Sequence, residues 1–321
     1  MPRVSIILLN YNYAKYLDER IQSLLNQTYK DFELIILDNG STDNSVEIIS
    51  KYTADSRIKT HFYSQNNPLF YTVFNDGIKL AQGEYVNIVC SDDSCHPTLL
   101  EKLVKILDEH PSVGLAYAQS WEVDEQGNRL RSLEEWTSYL NKTRWAQDFI
   151  DSGKNECQYL FYTCTITNIG AALIRRKVVI DAGMFDEQMP FSADWLFYAK
   201  ILMISDIAYL AEHLNYHRTH PQTMRKNNKN DAFLEEKMQT LSYLAKNVEP
   251  PENFLKEVYI PAVGSWMRLM VFEGIPLSRN LRIYKLFKDI NPNINYFLVK
   301  NILDVFKRKI SIALKIKSLQ Y

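Results

Sequence analysis

Three short polar groups stand just beyond apolar runs in the first third of the chain, and their residue types can do chemistry. Asn10, Tyr11 and Asn12 follow Val4 to Leu9; Asp38 and Asn39 follow Phe32 to Leu37; Ser91, Asp92 and Asp93 follow Tyr85 to Val89. If the runs are strands of one parallel sheet, these groups converge on a rim, because ligands sit outside the carboxyl ends of such strands. Tyr11 offers a face on which a base can stack. Asp38 and Asn39 offer acceptors for a base or a ribose. Asp92 and Asp93 supply the hard oxygen atoms that Mg2+ or Mn2+ takes when it also bridges phosphates. No GxGxxG follows the first run and no GxxxxGK[ST] occurs, so dinucleotide and phosphate-loop chemistry are not indicated. The pattern suits a nucleotide whose diphosphate is held by a metal instead of a glycine loop.

The elements that must position these groups follow from periodicity. Val4 to Leu9, Phe32 to Leu37, Ile58 to Tyr63 and Tyr85 to Val89 read as strands. Helical spacing separates them, at Leu17 to Leu25, around Val46 to Ile49, and at Phe70 to Leu80. Asp38-Asn39-Gly40-Ser41 is a turn-forming cluster, with Ser41, Asp43 or Asn44 available to cap the next helix. A helix at Leu99 to Leu107 precedes a strand at Leu115 to Ala118. This alternation specifies an α/β fold, a mostly parallel sheet with helices on both faces. Between Glu122 and Tyr162 the pattern loosens around a hairpin turn at Glu125 to Asn128. A strand at Ile169 to Ile174 and a helix at Val178 to Ala182 follow. Beyond a boundary expected between Thr223 and Asp231, Leu234, Met238, Leu241, Ala245 and Val248 repeat at helical spacing, and Pro250-Pro251 breaks the chain. That repeat reads as an intramolecular helix contact, with a homodimer seam as the alternative. The C-terminal stretch carries Lys300, Lys307, Arg308, Lys309, Lys315 and Lys317, a basic helix for a solvated face or an anionic membrane surface.

Composition narrows the classes. The 321 residues are 46% hydrophobic and 23% charged, enough for a sizeable core in one large domain or two smaller ones. Lys plus Arg number 37 and Asp plus Glu 38, a net charge of −1, so no nucleic-acid partner is expected. The apolar runs are strand-sized and fall short of the ~20 residues of a membrane-spanning helix. The run after Met1-Pro2-Arg3 is too short for a signal peptide. Cys90, Cys95, Cys157 and Cys164 form neither a CxxC zinc pattern nor a dense disulfide framework, which reads as reduced thiols in a cytoplasmic protein.

An ordered set of motifs resembles family 2 glycosyltransferases. Val4-Ser5-Ile6-Ile7 leads into Asn10-Tyr11-Asn12; Ser23 to Tyr29, Phe32-Glu33-Leu34-Ile35 and Asp38 to Asp43 follow. Gly83-Glu84-Tyr85 precedes Ser91-Asp92-Asp93, and Gly183-Met184-Phe185-Asp186 precedes Ala193-Asp194-Trp195. The resemblance covers about residues 3 to 225. It implies a GT-A fold over 1–225, with a donor half at about 1–120 and an acceptor half at 121–225, followed by a helical region over 226–321. It further implies a nucleotide-sugar donor, a glycan or lipid-linked acceptor in surface polysaccharide synthesis, Mg2+ or Mn2+, inversion at the anomeric carbon, and a place in the cytoplasm or at the inner face of the membrane.

Carried over by position, Tyr11 matches the residue that stacks on uracil, with Leu9 and Asp38 beside it in the nucleotide site. Asn39 falls where the family often has an Asp accepting the uracil N3–H. Ser91 and Asp92 fall in the family's DxD motif, Asp92 on its metal ligand, while Cys90 replaces the first acid. Asp93 is left to bind metal through water or to hold a neighbouring chain segment. Asp194 matches the catalytic base, with helix capping as the plainer reading. His220 sits where relatives place a histidine near metal or diphosphate, and Arg218 is available to a phosphate oxygen. Trp121, Trp136, Trp145 and Trp195 are candidates for stacking on sugars or simply for packing. Two rival readings are a non-catalytic nucleotide-sugar-binding protein and a sugar-phosphate nucleotidylyltransferase. The second lacks support in the glycine-free stretch Asn10 to Lys15.

Overall fold

Continuous apolar runs bury both faces of the first two strands. β1 (Val4–Asn10) is inaccessible from Val4 to Leu8, and β2 (Phe32–Asp38) is buried throughout. Strands of that kind belong in the middle of a parallel sheet. β3 (Ile58–Phe62) and β4 (Tyr85–Cys90) complete the order β3-β2-β1-β4, every pair parallel. Side chains alternate across the strands, so the helices divide between two faces. Leu17, Ile21 and Leu24 of α1 (Ala14–Leu25) pack with Ile6 and Leu8. On the other face, α3 (Phe70–Leu80), which follows the short α2 (Ser45–Ser50), lies so close to the sheet that a Cβ on Gly77 would come 2.4 Å from Ile7 Cγ2. The strand order reverses at β1, which places a crevice between the carboxyl ends of β1 and its neighbours.

The structure, a computed structural model, describes residues 1–221 and 230–303. Past β4 come β5 (Ser94–Cys95), α4 (Leu99–Glu109), β6 (Val113–Val123), β7 (Arg129–Ser132), β8 (Phe149–Asp151) and α5 (Gly153–Leu160). β9 (Ala172–Arg175), α6 (Arg176–Asp181), α7 (Ala193–Leu202) and β10 (Asp206–Arg218) follow. Here the sheet is mixed: β9 runs antiparallel between β4 and β6, while β10 is parallel to β6 and antiparallel to β5 and β8. The strand expected from Ile169 begins only at Ala172, because Asn168 Oδ1 accepts the Gly170 N–H at 2.7 Å and winds Ile169–Ala171 into a 3₁₀ turn. β10 escapes a periodicity reading because its register with β6 shifts near Ile207, His213 and Asn215.

The chain divides into a unit spanning Met1–Asn227 and a second spanning Asn228–Tyr321. The boundary expected between Thr223 and Asp231 falls largely on residues outside the described set, as do the basic residues from Lys307 onward. In the second unit α8 (Asn230–Asn247), α9 (Ile260–Phe272) and α10 (Leu277–Ile290) form a helical core. Leu234, Met238 and Leu241 are buried within it, so the α8 repeat is an intramolecular contact, not an open seam. All four cysteines are free. Among the described residues no helix is long and apolar enough to cross a membrane.

Candidate active site

The β1 and β2 rim is built from side chains that bond across the strand ends. Asn10, fully buried, donates from Nδ2 to Asp38 Oδ2 (2.8 Å) and to Ser41 Oγ (3.1 Å). Asp38 also accepts the Ser41 N–H (2.9 Å) and hydroxyl (2.7 Å). Asn12 sits in the left-handed region at φ 57°; its N–H donates to Ser41 Oγ (2.9 Å) and its Oδ1 accepts the Thr42 N–H (2.7 Å). These bonds fix the residues on either side of Tyr11 and leave its ring 38% exposed at the rim, suited to a flat partner. Gly40, at φ 74°, permits the close turn: a Cβ there would come 2.4 Å from the Gln65 carbonyl carbon.

Asn39 behaves differently from its sequence expectation. Its Nδ2 donates to Asn66 Oδ1 and to the Asn67 carbonyl, both at 2.9 Å, and its Oδ1 accepts the Asn67 N–H at 2.9 Å. The amide, 2% exposed, ties the β2 turn to the loop ahead of α3 instead of presenting an acceptor to a base.

The end of β4 is locked to β1 by Ser91, whose hydroxyl donates to the Leu9 carbonyl at 2.6 Å. Asp92 comes next and meets His220: Oδ2 lies 3.2 Å from Nε2, the imidazole packed against Tyr13 and Tyr16 with ring centroids 5.5 and 5.3 Å away. Burial first, and the Asp92 charge second, push the Tyr13 phenol well above its ordinary value, so that ring stays neutral. Asp93 turns inward. It accepts from Asn168 Nδ2 (2.8 Å) and the Arg218 N–H (2.9 Å), and lies 3.3 Å from His217 Nδ1. Burial opposes its ionisation, but the His217 imidazole, the Arg20 charge and the Asn168 amide prevail and hold its carboxyl below the usual range. Of its two expected parts, the geometry matches the holding of a neighbouring segment.

Arg218, 1% exposed, places all three guanidinium nitrogens in hydrogen bonds with described residues. Nε donates to the Asp92 carbonyl (2.8 Å), Nη1 to the carbonyls of Asp124 (3.2 Å) and Glu125 (3.0 Å), and Nη2 to both Glu19 oxygens (2.7 and 2.8 Å). These partners turn its guanidinium toward backbone carbonyls and Glu19, in place of the phosphate contact expected of it. It braces the Asp92 backbone instead. An open cleft of about 420 Å³ lies here, lined by Asp124, Glu125, Gln126, Thr219, His220 and Pro221.

Asp194 stands in the first turn of α7, half-buried, with Oδ1 accepting the Trp195 N–H at 2.9 Å. Aromatic packing seats that helix: Phe197 stacks on Phe185 at 4.1 Å, and Phe185 packs on Tyr71 at 5.0 Å. Asn75 of α3 fixes the Phe185 backbone from both sides, donating to its carbonyl (3.0 Å) and accepting its N–H (3.1 Å). Burial, then the charges of Asp92, Asp93 and Asp194, raise the Cys90 thiol well above its ordinary value against the opposing Arg20 charge, so it stays neutral. Trp145 (2% exposed) and Trp195 (5%) are packing residues, bonded through Nε1 to Tyr117 Oη and to the Leu160 carbonyl.

Sequence reasoning missed Asn168 and His217, which no local pattern marks. It also missed Arg20, fully buried, whose three guanidinium nitrogens have no hydrogen-bond partner among the described residues. Its signal was present: Arg20 falls three residues after Leu17 and four before Leu24, on the apolar face of α1.

Comparison with known proteins agrees with this architecture. Residues 5–182 match the family model described as Glycosyl transferase family 2. An uncharacterized glycosyltransferase of Rickettsia conorii is 30% identical over 208 residues, 64% of this chain and 32% of the relative. The chain spans about a third of the length of such curated relatives. Among solved structures, S. aureus TarS 1–349 in complex with UDP-GlcNAc superimposes with a TM-score of 0.66 at 19% identity, over 92% of this chain and 84% of that one. The mannosyltransferase PcManGT of Pyrobaculum calidifontis, in complex with GDP-Man and Mn2+, gives 0.56 at 15% identity, over 94% and 86%. The fold is GT-A, and with the match running through more than half of its length the chain belongs to glycosyl transferase family 2.

Proposed function

We propose that the chain transfers a sugar from a nucleotide-diphosphate donor, a UDP- or dTDP-sugar, to a hydroxyl of a glycan or lipid-linked acceptor, with inversion at the anomeric carbon. The observation that carries this reading is the pairing of Asp92 with His220, 3.2 Å apart at the strand-order reversal and on the same rim as Tyr11. The solved relatives' UDP-GlcNAc, GDP-Man and Mn2+ complexes support the same class of ligand.

The donor set fits a divalent cation shared with substrate. Asp92 and His220 offer one carboxylate oxygen and one imidazole nitrogen, and among the described residues no group of three or more His, Cys, Asp or Glu forms a closed site. Mg2+ and Mn2+ are commonly bound through one or two protein ligands, with the remaining positions left to water and phosphate oxygens. Asp92 and His220 would hold the ion, and when bound it supplies Lewis-acid neutralisation of the departing diphosphate.

The chain's own residues do the rest. Tyr11 stacks on the base, and Asp38, held by Asn10 and Ser41, stands beside it as an acceptor. Ser91 and Leu9 keep the β1 and β4 ends in register beneath the diphosphate. Asp194 takes the proton from the acceptor hydroxyl as that oxygen bonds to the anomeric carbon and the bond to the diphosphate breaks. Residues 1–120, joined by His220, thus serve the donor, and the rest of 121–225, with Asp194, the acceptor. Calorimetric titration of UDP with and without Mn2+ tests the reading: Asp92→Asn is expected to abolish the metal-dependent gain in affinity. Unchanged metal dependence would refute the assignment.

A further inference from the structure

We infer that the corner between α9 and α10 is a docking surface for an anionic membrane. Trp266 makes these helices a hairpin: its Nε1–H donates to Asn280 Oδ1 at 2.9 Å and its ring stacks on Phe287 at 5.3 Å. Ala262, Val263 and Leu269 on α9, and Ile283 on α10, are buried inside. The helices meet through Glu273–Pro276, where Gly274 takes φ 68°, so the last turn of α9 and the first of α10 lie at one end of the hairpin. At that end four apolar side chains face outward: Val271 is 74% exposed, Phe272 81%, Leu277 75% and Leu281 61%. Residues that could have joined a core instead form one apolar tip, the kind of clustered patch that marks an interaction site.

Charge identifies the occupant. On α10, Leu277, Leu281, Lys285 and Lys288 share one stripe, so the apolar tip is continued along the helix by exposed cations. On α9, exposed Arg268 stands one turn behind Val271 and Phe272. Arg279 and Arg282 are tied to Asp231 and Glu235 of α8, which leaves Arg268, Lys285 and Lys288 as the outward set, against Glu273 at the corner. The near-neutral total conceals this asymmetry. From Gly264 to Leu303 there are 6 Lys and Arg against 2 Asp and Glu, whereas before Gly264 there are 26 against 35. An apolar tip with cations one to two turns behind it matches the order of acyl boundary and anionic headgroup in a bilayer interface. A second copy of the chain would bring like charges together and gain less.

The test needs no sugar transfer, so it stands or falls apart from the proposed activity. The full chain is sedimented with vesicles of phosphatidylcholine alone and with vesicles that also contain phosphatidylglycerol. Binding is expected only to the second, and to weaken in high salt. Phe272→Ser with Leu277→Ser, and separately Lys285→Glu with Lys288→Glu, should each lower the bound fraction ~10-fold or more while leaving the circular dichroism unchanged. Equal binding to neutral vesicles, no binding to either, or variants that bind like the parent would overturn the inference. So would light scattering that finds a dimer dissociated by the Phe272 and Leu277 changes, since the tip would then belong to a second copy.

Discussion

The two halves of the sheet position their rim residues by different means. In the parallel half, β3-β2-β1-β4, register delivers the functional groups, and short bonds among Asn10, Asp38 and Ser41 then hold each turn. In the mixed half the groups arrive from far along the chain: His220 reaches Asp92, Asn168 reaches Asp93, and Arg218 reaches Glu19. The first arrangement tolerates the loss of one bond because the sheet still sets the strand ends. The second depends on a few buried polar side chains, so removing one exposes others to an unsatisfied interior.

The largest expected effect tests whether the mixed half supplies the chemistry. Asp194→Asn keeps size and polarity but cannot take a proton at neutral pH. Transfer should fall by ~10²–10⁴-fold while donor affinity survives, the pattern of an interaction made in the transition state. Parallel measurement of kcat and of UDP binding decides it; a parent-like rate would reduce Asp194 to a helix-capping residue.

Arg218→Met tests the brace itself. It strands the carbonyls of Asp92, Asp124 and Glu125 in a buried setting, and a loss of about 3 kcal/mol in denaturant unfolding is expected, with weaker metal-supported UDP binding. Stability within a few tenths of the parent would place the hold on the Asp92 turn elsewhere.

In the parallel half the corresponding change is smaller. Asn39→Asp removes the donors to Asn66 and Asn67, so about 1–2 kcal/mol of stability should be lost, with the ratio of UDP to GDP affinity unchanged. A shift of that ratio toward UDP would restore the base-edge part that the sequence suggested for this residue.

The smallest effect is in pH dependence, where buried glutamates of the two halves differ in sign. Glu33 of β2 is held below its ordinary 4.5: burial opposes this, but Lys59, Ser5 and the Gln82 N–H outweigh it. Its contribution is therefore present above pH 4.5 and is lost as pH falls through the lower folded value. Glu156 of α5 is raised by burial despite Arg144 and Thr165, so it favours folding at low pH and loses that contribution as pH rises past 4.5. Glu33→Gln should flatten the acid side of the stability profile, and Glu156→Gln the decline above it. Profiles of the same slope change for both variants would contradict the opposed environments.

The amino-acid sequence by itself determined the parallel half and the family. Strand-length apolar runs bounded by turn residues read as central strands, helical spacing sets the crossovers, and polar residues after each strand then meet on one rim. It also carried the position of Asp194 at a helix start and the helical spacing of Leu234, Met238 and Leu241. Partner choice was decided only by the tertiary structure. Asn39, Asp93 and Arg218 have side chains that suit a base, a metal or a phosphate equally well, and nothing local says that Asn67, Asn168 and Glu19 will claim them first. β10 went unread because its bulges break the alternation that marks a strand, and only pairing with β6 makes it one. The physical reason is the same in each case. Burial and periodicity are properties of a stretch of chain, whereas a hydrogen bond between residues a hundred positions apart exists only once the fold has brought its donor and acceptor together.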